Sequence, residues 1–285
     1  MRLLACSAVI AGMLLTGCGK THQPVTTPDV VIVAAVDVPK NPDDQAWESA
    51  PEHAAKLLLQ DMVEPRLLTA STAEVRIRAI RGGNEVAFRL EWVDATTNDL
   101  SEGARFCDGC AIQLPAKNDP NVTAPQMGES GRPVEIAYWN AGWQAVVDGR
   151  GDSIKDIYPN ATIDHYPFEA ASLSKGSDVQ KKMAARYAPA RALGNTMAGP
   201  RDVPVQDLIA DGPGTLVPAK ATTSKGCGRR TATGWAVVIT RSLPAGIVDQ
   251  GRSQVAFAVW EGSQQEVGSR KMRTGWIPFG VKRIK

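Results

Sequence analysis

Two eight-residue runs, EVRIRAIR (74–81) and EVAFRLEW (85–92), alternate apolar and polar side chains and are separated only by Gly82, Gly83 and Asn84. Successive side chains of an extended chain point to opposite faces, so this alternation demands a sheet with one dry side. The Gly-Gly-Asn spacer fits a tight hairpin between the two runs. VEIAYW (134–139), GWAVVITR (234–241) and QVAFAVW (254–260) repeat the β-branched and aromatic pattern, and CAIQLP (110–115) is a further candidate strand. The last pair is joined by SLPAGIVDQGRS, which reads as a long hairpin loop. Many short strands with turn signals between them predict an all-β fold, an antiparallel β-sandwich with a few short helices. The best helical segment is SDVQKKMAARYAPARAL (177–193), opened by Ser177 or Asp178 as N-cap and limited by Pro189. The rest of 145–232 is rich in Gly, Pro, Asp and Asn and reads as a long irregular insertion, of the kind that usually carries function. With no internal repeat, one domain over 39–285 is expected, interrupted by that insertion.

The first residues stand apart. MRLLACSAVIAGMLLTGC has one Arg, an apolar run from Leu3 to Leu15 and small residues before Cys18. The run is shorter than the roughly 20 residues of a membrane span, and its flanks suit an export signal. Its end resembles a bacterial lipobox, which implies cleavage after residue 17 and lipid on Cys18. The chain is then expected on the periplasmic side of a bacterial membrane, anchored but not spanning. Residues 18–38 read as a Thr/Pro tether passing into a first strand. A formal net charge of +2 spread over 285 residues offers no basic stripe for nucleic acid.

Export also sets the cysteine chemistry. Cys6 leaves with the signal and Cys18 is lipidated, leaving Cys107, Cys110 and Cys227, which allow at most one disulfide. In CDGC (107–110) Ala111 stands where a covalent haem motif would have His, and no βαβ setting supports a thioredoxin-like pair. A structural disulfide, within the pair or from one member to Cys227, is the expected use; a zinc site would need a further ligand that the surroundings of Cys227 do not offer. Of the three histidines, His22 lies in the tether, His53 in APEHAAK, and His165 among aromatic residues in IYPNATIDHYPFE. None is spaced with another for metal binding. The RGD triplet at 150–152 reads as a solvated turn. Phosphate loops, dinucleotide fingerprints and a nucleophilic triad are absent from the sequence, so no catalytic constellation is expected. Met127 is the oddity: in TAPQMGES its thioether sits on a turn between Pro125 and Gly128, where a methionine has little core to fill.

Six segments give that methionine a setting. NPDDQAWESAP (41–51), FRLEWVDATTND (88–99), FCDGCAIQLP (106–115), PQMGESGRPVEIAYW (125–139), GWAVVITRSL (234–243) and VAFAVWEGSQQEVGSRKMRTGW (255–276) occur in one order. Together they resemble the haem b, or gamma, subunits of periplasmic molybdenum enzymes related to dimethyl sulfoxide reductase. These include the gamma subunits of ethylbenzene dehydrogenase, dimethyl sulfide dehydrogenase, chlorate reductase and selenate reductase. The resemblance covers roughly residues 40–145 and 230–280. It implies a β-sandwich whose two layers grip one b-type haem, with Met and Lys as axial ligands. Carried over by residue, these fall on Met127 and Lys271. Met272 is the neighbouring alternative, facing the other way on an extended chain, and His165 is the replacement should Met127 not ligate.

With both axial positions filled by protein, such a haem implies electron transfer and no catalysis of its own, relaying electrons to or from a molybdenum oxidoreductase or a periplasmic carrier. Lysine must be neutral to ligate, which at pH 7 costs about 4.6 kcal/mol from its ordinary pKa. Trp92, Trp139, Trp143, Trp235, Trp260 and Trp276 are then expected in the core or the haem wall. Lipidation and the long insertion depart from the family, and the insertion is expected to cover the haem edge or meet a partner. A different class of function, a haem-free carbohydrate- or partner-binding sandwich, would use the same fold with an open aromatic face.

Overall fold

A computed structural model describes residues 26–282 apart from 101, 152–153, 163–176, 188–192, 198–200, 245–246 and 248–251. Cys18, His22 and His165 lie outside the described residues. The expected hairpin forms as β4 (Glu74–Gly82) and β5 (Glu85–Val93), paired antiparallel from Gly82 opposite Glu85 to Arg76 opposite Glu91. Gly83 takes φ +57° at its tip, a left-handed value that glycine reaches without strain. On β4 the alternation resolves as predicted: Val75, Ile77 and Ala79 are buried while Glu74 and Arg76 face solvent.

Two layers result. The first carries, in order, β10 (Lys225–Arg230), β11 (Gly234–Ser242), β5, β4, β1 (Val30–Ala35) and β14 (Ile277–Lys282), with β2 (His53–Lys56) also on β4. The second carries β6 (Gly109–Pro115), β7 (Val134–Asn140), β8 (Val205–Ala210) and β9 (Val217–Pro218) in that order. β12 (Arg252–Trp260) belongs to both: Arg252–Val255 pair with β14, and Ala256–Trp260 pair with β6. β13 (Met272–Arg273) bridges β12 and β3 (Leu58–Leu59). Among the described residues the named strands pair antiparallel save β1, which lies parallel between β4 and β14. The all-β sandwich of the sequence reading is thus observed, with this one parallel strand inside it.

The space between the layers is filled by side chains. Phe88 of the first layer meets Phe257 of the second edge-on at 6.0 Å, and Trp139 stands edge-on to Trp92 and Trp235 at 6.4 and 5.2 Å. Each such large side chain contributes about 1.5–3 kcal/mol by leaving water. A second, smaller core forms outside the first layer, where Trp47, on a short 3₁₀ turn (Gln45–Ser49) capped by Asp44, covers Ile80, Ala87 and Val238.

The stretch 145–232 is less irregular than expected, since it supplies β8, β9 and β10. β10 reads KGCGRR, with none of the apolar alternation of a strand, and the reason is Trp139. A Cβ at Gly228 would lie 2.2 Å from the Trp139 ring, and one at Gly226 would lie 2.3 Å from Val205. The glycines are the notch that the indole fills. Gln144 on α1 (Ala141–Val147) closes it: its Oε1 accepts from Trp139 Nε1 at 3.1 Å and from Gly228 N at 2.8 Å. Gly228→Ala is therefore expected to destabilise the protein by about 1–3 kcal/mol through overpacking, checked by urea unfolding.

Two short helices follow in the stretch, α2 (Ile154–Ile157) and α3 (Asp178–Tyr187), the latter within the predicted helical segment. Among the described residues no helix is long and apolar enough to cross a membrane. The expected disulfide is not formed: Cys107, Cys110 and Cys227 are free thiols. Cys110 is held in the interlayer core by the alternation of β6, Cys107 packs against Gly142, and Cys227 stands on the separate strand β10. Burial pushes the Cys107 thiol up to about 11, so neither it nor the fully buried Cys110 is a ready nucleophile.

Candidate functional site

β6 is buried along its whole length, which means that its two faces are covered by different things. Cys110, Ile112 and Leu114 face the interlayer core. Ala111 and Gln113 face outward, into a cavity of about 890 Å³ on the outer surface of the second layer, at the large end of small-molecule sites. The strand registers build its floor as two rows across the sheet. One row runs Ala258, Ala111, Tyr138, Gln206 and the next Ala256, Gln113, Ile136, Leu208. Three of these eight positions are alanine, so the middle of the floor is low and flat, while Trp260 and Leu208 rise beside it. The site thus lies outside the sandwich, not between its layers as the sequence reading had it; the interlayer space is already full.

The stretch 145–232 forms part of the wall, through Leu193–Met197 and through Gly214, Leu216 and Pro218 near β9. Gln206 anchors this wall by donating to Thr196 Oγ1. Beside it Trp143 lies under the Arg201 guanidinium at 3.5 Å and donates from its indole to Met197 O.

Met127 and Lys271 both line this cavity, and they meet there: Lys271 Nζ is 3.7 Å from Met127 Sδ. Their sequence separation of 144 residues is closed by two separate devices. Met127 has φ +72°, left-handed backbone that costs a non-glycine residue of order 1 kcal/mol or more. It is held by its surroundings: Gly128 N donates to Ala124 O, Gly212 N to Met127 O, and Gln113 Nε2 to Pro125 O at 2.9 Å. The Trp276 indole clamps the same loop by donating to Thr123 O. Gly128 follows at φ +81°, where an added Cβ would press on Arg132 O and Ala210 O.

Lys271 immediately precedes β13, and its carbonyl accepts from Gln60 N at 3.2 Å. β13 fixes its direction. Met272, 1 % exposed, points into the interlayer core, so Lys271 points to the cavity and Met272 is excluded from it. Burial, and secondarily the Arg273 charge, push the Lys271 amine down to about 8. Neutralising it at pH 7 then costs only about 1–2 kcal/mol. The ammonium faces the Trp260 ring at 5.2 Å, and Arg273, its Nε without a partner, lines the same cavity.

Of the tryptophans, Trp92, Trp139 and Trp235 are core, Trp260 is cavity wall, Trp276 pins the Met127 loop and Trp143 flanks the cavity. His53 is elsewhere, its Nδ1 paired with Thr27 O at 2.7 Å. Sequence reasoning missed the alanine floor. Its signal was present, since Ala111, Ala256 and Ala258 occupy one parity of two strands, but alanine carries no chemistry that draws attention.

A β-sandwich with a large apolar cavity on the outer face of one layer, floored in part by alanine, here brings a thioether and an amine together in the wall of a space with room for a large apolar group. The chain belongs to the ethylbenzene dehydrogenase family, whose description matches residues 44–272. It is 26 % identical to a Haloferax mediterranei protein provisionally named as the haem subunit of a respiratory nitrate reductase, over 98 % of this chain and 84 % of that one. It is 25 % identical to the chlorate reductase gamma subunit of Ideonella dechloratans, over 92 % of this chain and 87 % of the relative. A shorter match, 28 % identical over 36 % of this chain and 40 % of the relative, is to the dimethylsulfide dehydrogenase gamma subunit of Rhodovulum sulfidophilum.

Proposed function

We propose that the protein is a haem b electron-transfer subunit or relay, with Met127 and Lys271 as the two axial ligands, working with a molybdenum oxidoreductase or a periplasmic carrier. The observation that carries the reading is the approach of Lys271 Nζ to Met127 Sδ, 3.7 Å, in the wall of a large apolar cavity. The residues present fit the group. A soft sulfur and a neutral nitrogen are both iron ligands, the alanine rows leave room for a flat ring, and Trp260, Ile136 and Leu208 supply apolar surroundings. A haem with both axial positions filled by protein passes single electrons and binds no substrate.

The chain's own residues set the conditions for that. Met127 presents a soft donor that favours the reduced state. Burial lowers the cost of neutralising Lys271, and Arg273, which lines the same cavity and forms no ion pair among the described residues, offers a cation for a carboxylate of the bound group. The names of the relatives, gamma subunits of a chlorate reductase and a dimethylsulfide dehydrogenase and a haem subunit of a nitrate reductase, support assembly with catalytic subunits. The leader and Cys18 support placement on the periplasmic side of a bacterial membrane, anchored by lipid.

Purified protein should show a Soret band and, after dithionite, a sharp alpha band. A colourless protein that stays colourless on haem reconstitution would leave the haem-free binding module as the better reading. The lysine adds a pH signature. Ligation needs the neutral amine, so below about pH 8 each haem bound must expel a proton. Haem affinity should therefore fall about tenfold per pH unit below 8 and level off above it. In Lys271→Met, which has no proton to lose, that slope should vanish from haem titrations of the apoprotein.

A further inference from the structure

Outside the cavity, three acidic side chains converge where β5 ends, β6 begins and β12 ends. Asp94, Asp108 and Glu261 are 3, 0 and 7 % exposed, and one carboxylate oxygen of each lies within 4.8 Å of the others. No lysine, arginine or histidine forms an ion pair with any of them among the described residues. Asp108 has accounted for both oxygens: Oδ1 accepts from Gly262 N, and Oδ2 from Asn98 N and Trp235 Nε1. Glu261 Oε1 accepts from Ser263 N and, at 3.4 Å, from Thr96 Oγ1. Asp94 has not. Its Oδ1 accepts from Thr96 N and Thr96 Oγ1, but its Oδ2 is buried with no hydrogen-bond donor among the described residues. An orphaned carboxylate oxygen beside two more buried carboxylates is costly unless positive charge joins them.

We propose that Asp94, Asp108 and Glu261, with the neutral oxygens of Thr96 and Asn98, form a structural site for one divalent cation of the calcium type. The donor set is all oxygen. Thr96 Oγ1 is 2.7 Å from Asn98 Oδ1 and 3.3 Å from Asp94 Oδ1, so two uncharged oxygens stand beside the carboxylates. Hard oxygen donors in irregular loops, with no imidazole or thiolate among them, select calcium over zinc. Without a cation, burial first and then the neighbouring Asp94 charge push Asp108 up to about 7, and burial raises Glu261 as well. A bound cation removes the need for those protons.

The cation would tie the end of a first-layer strand to the start of β6. It would also fix the turn after Trp260, which opens the segment leading to Lys271. Nothing in this assignment depends on the haem reading.

The test uses the full chain, stripped with EGTA and titrated with CaCl₂ by calorimetry and by thermal unfolding. One ion per chain is expected, with Tm raised by about 5–10 °C at a hundredfold excess over Kd, and KCl of equal ionic strength without effect. Asp94→Asn should weaken calcium binding at least about tenfold, and Glu261→Gln serves if that variant does not fold. Absence of both heat and shift in the wild-type chain overturns the proposal. So does an undiminished calcium response in the variant, or a magnesium response equal to that of calcium.

Discussion

Lys271→Ala and Met127→Ala proteins are each expected to lose the low-spin spectrum of reduced haem and to bind haem at least about 10–100-fold more weakly, a loss that even outer-sphere changes at metal sites produce. Both changes remove a donor from a cavity wall and leave the interlayer core intact, because Phe257, Val259 and Met272 carry that core on the opposite face. Far-UV circular dichroism and Tm should accordingly stay close to wild type. The pair is diagnostic when read with Cys107→Ser. Cys107 packs against Gly142 and does not line the cavity, so its substitution should leave the spectrum unchanged. If the two ligand variants keep the wild-type spectrum, the axial assignment is wrong.

The second large effect comes from a residue with no donor atom. Ala111→Phe places a ring in the middle of the floor, where Ala258 and Tyr138 are its cross-strand neighbours. Filling that space should reduce haem binding by about 100-fold or more, since roughly 3 kcal/mol of overlap is enough. The side chain at 111 points to the cavity and away from the interlayer core, so unfolding free energy should shift by no more than about 1 kcal/mol. Loss of binding together with a collapse in stability would mean that the floor is structural packing and not a binding surface.

How much of this was legible beforehand follows from what each residue's signal depends on. β4 and β5 were readable because alternation, β-branching and the Gly-Gly-Asn turn all act within the segment itself. β10 was not, because its glycines answer to Trp139, eighty-nine residues away from Gly228 in the chain and adjacent only in the fold. Likewise β1 joins the sheet parallel to both neighbours, a choice fixed by where β4 and β14 leave a gap. Met127 and Lys271 came from a family resemblance, and the structure brings their donor atoms together. The family pattern already favoured Lys271 over Met272, and the direction of β13 agrees, with Met272 in the core and Lys271 at the cavity. The position of the cavity, outside one layer, was beyond sequence reasoning: a continuous apolar run such as that of β6 says that a strand has two covered faces but not which cover is protein.

β12 holds the sandwich together and also lines the site: Phe257 fills the interior while Ala256 and Ala258, its immediate neighbours, floor the cavity. A strand with both sides committed has little freedom to vary. Retuning the site for another redox partner or potential should therefore proceed through the Leu193–Met197 and Gly214–Pro218 segments at its rim. Diversity among homologous chains is expected to collect there, with the small residues beneath held constant.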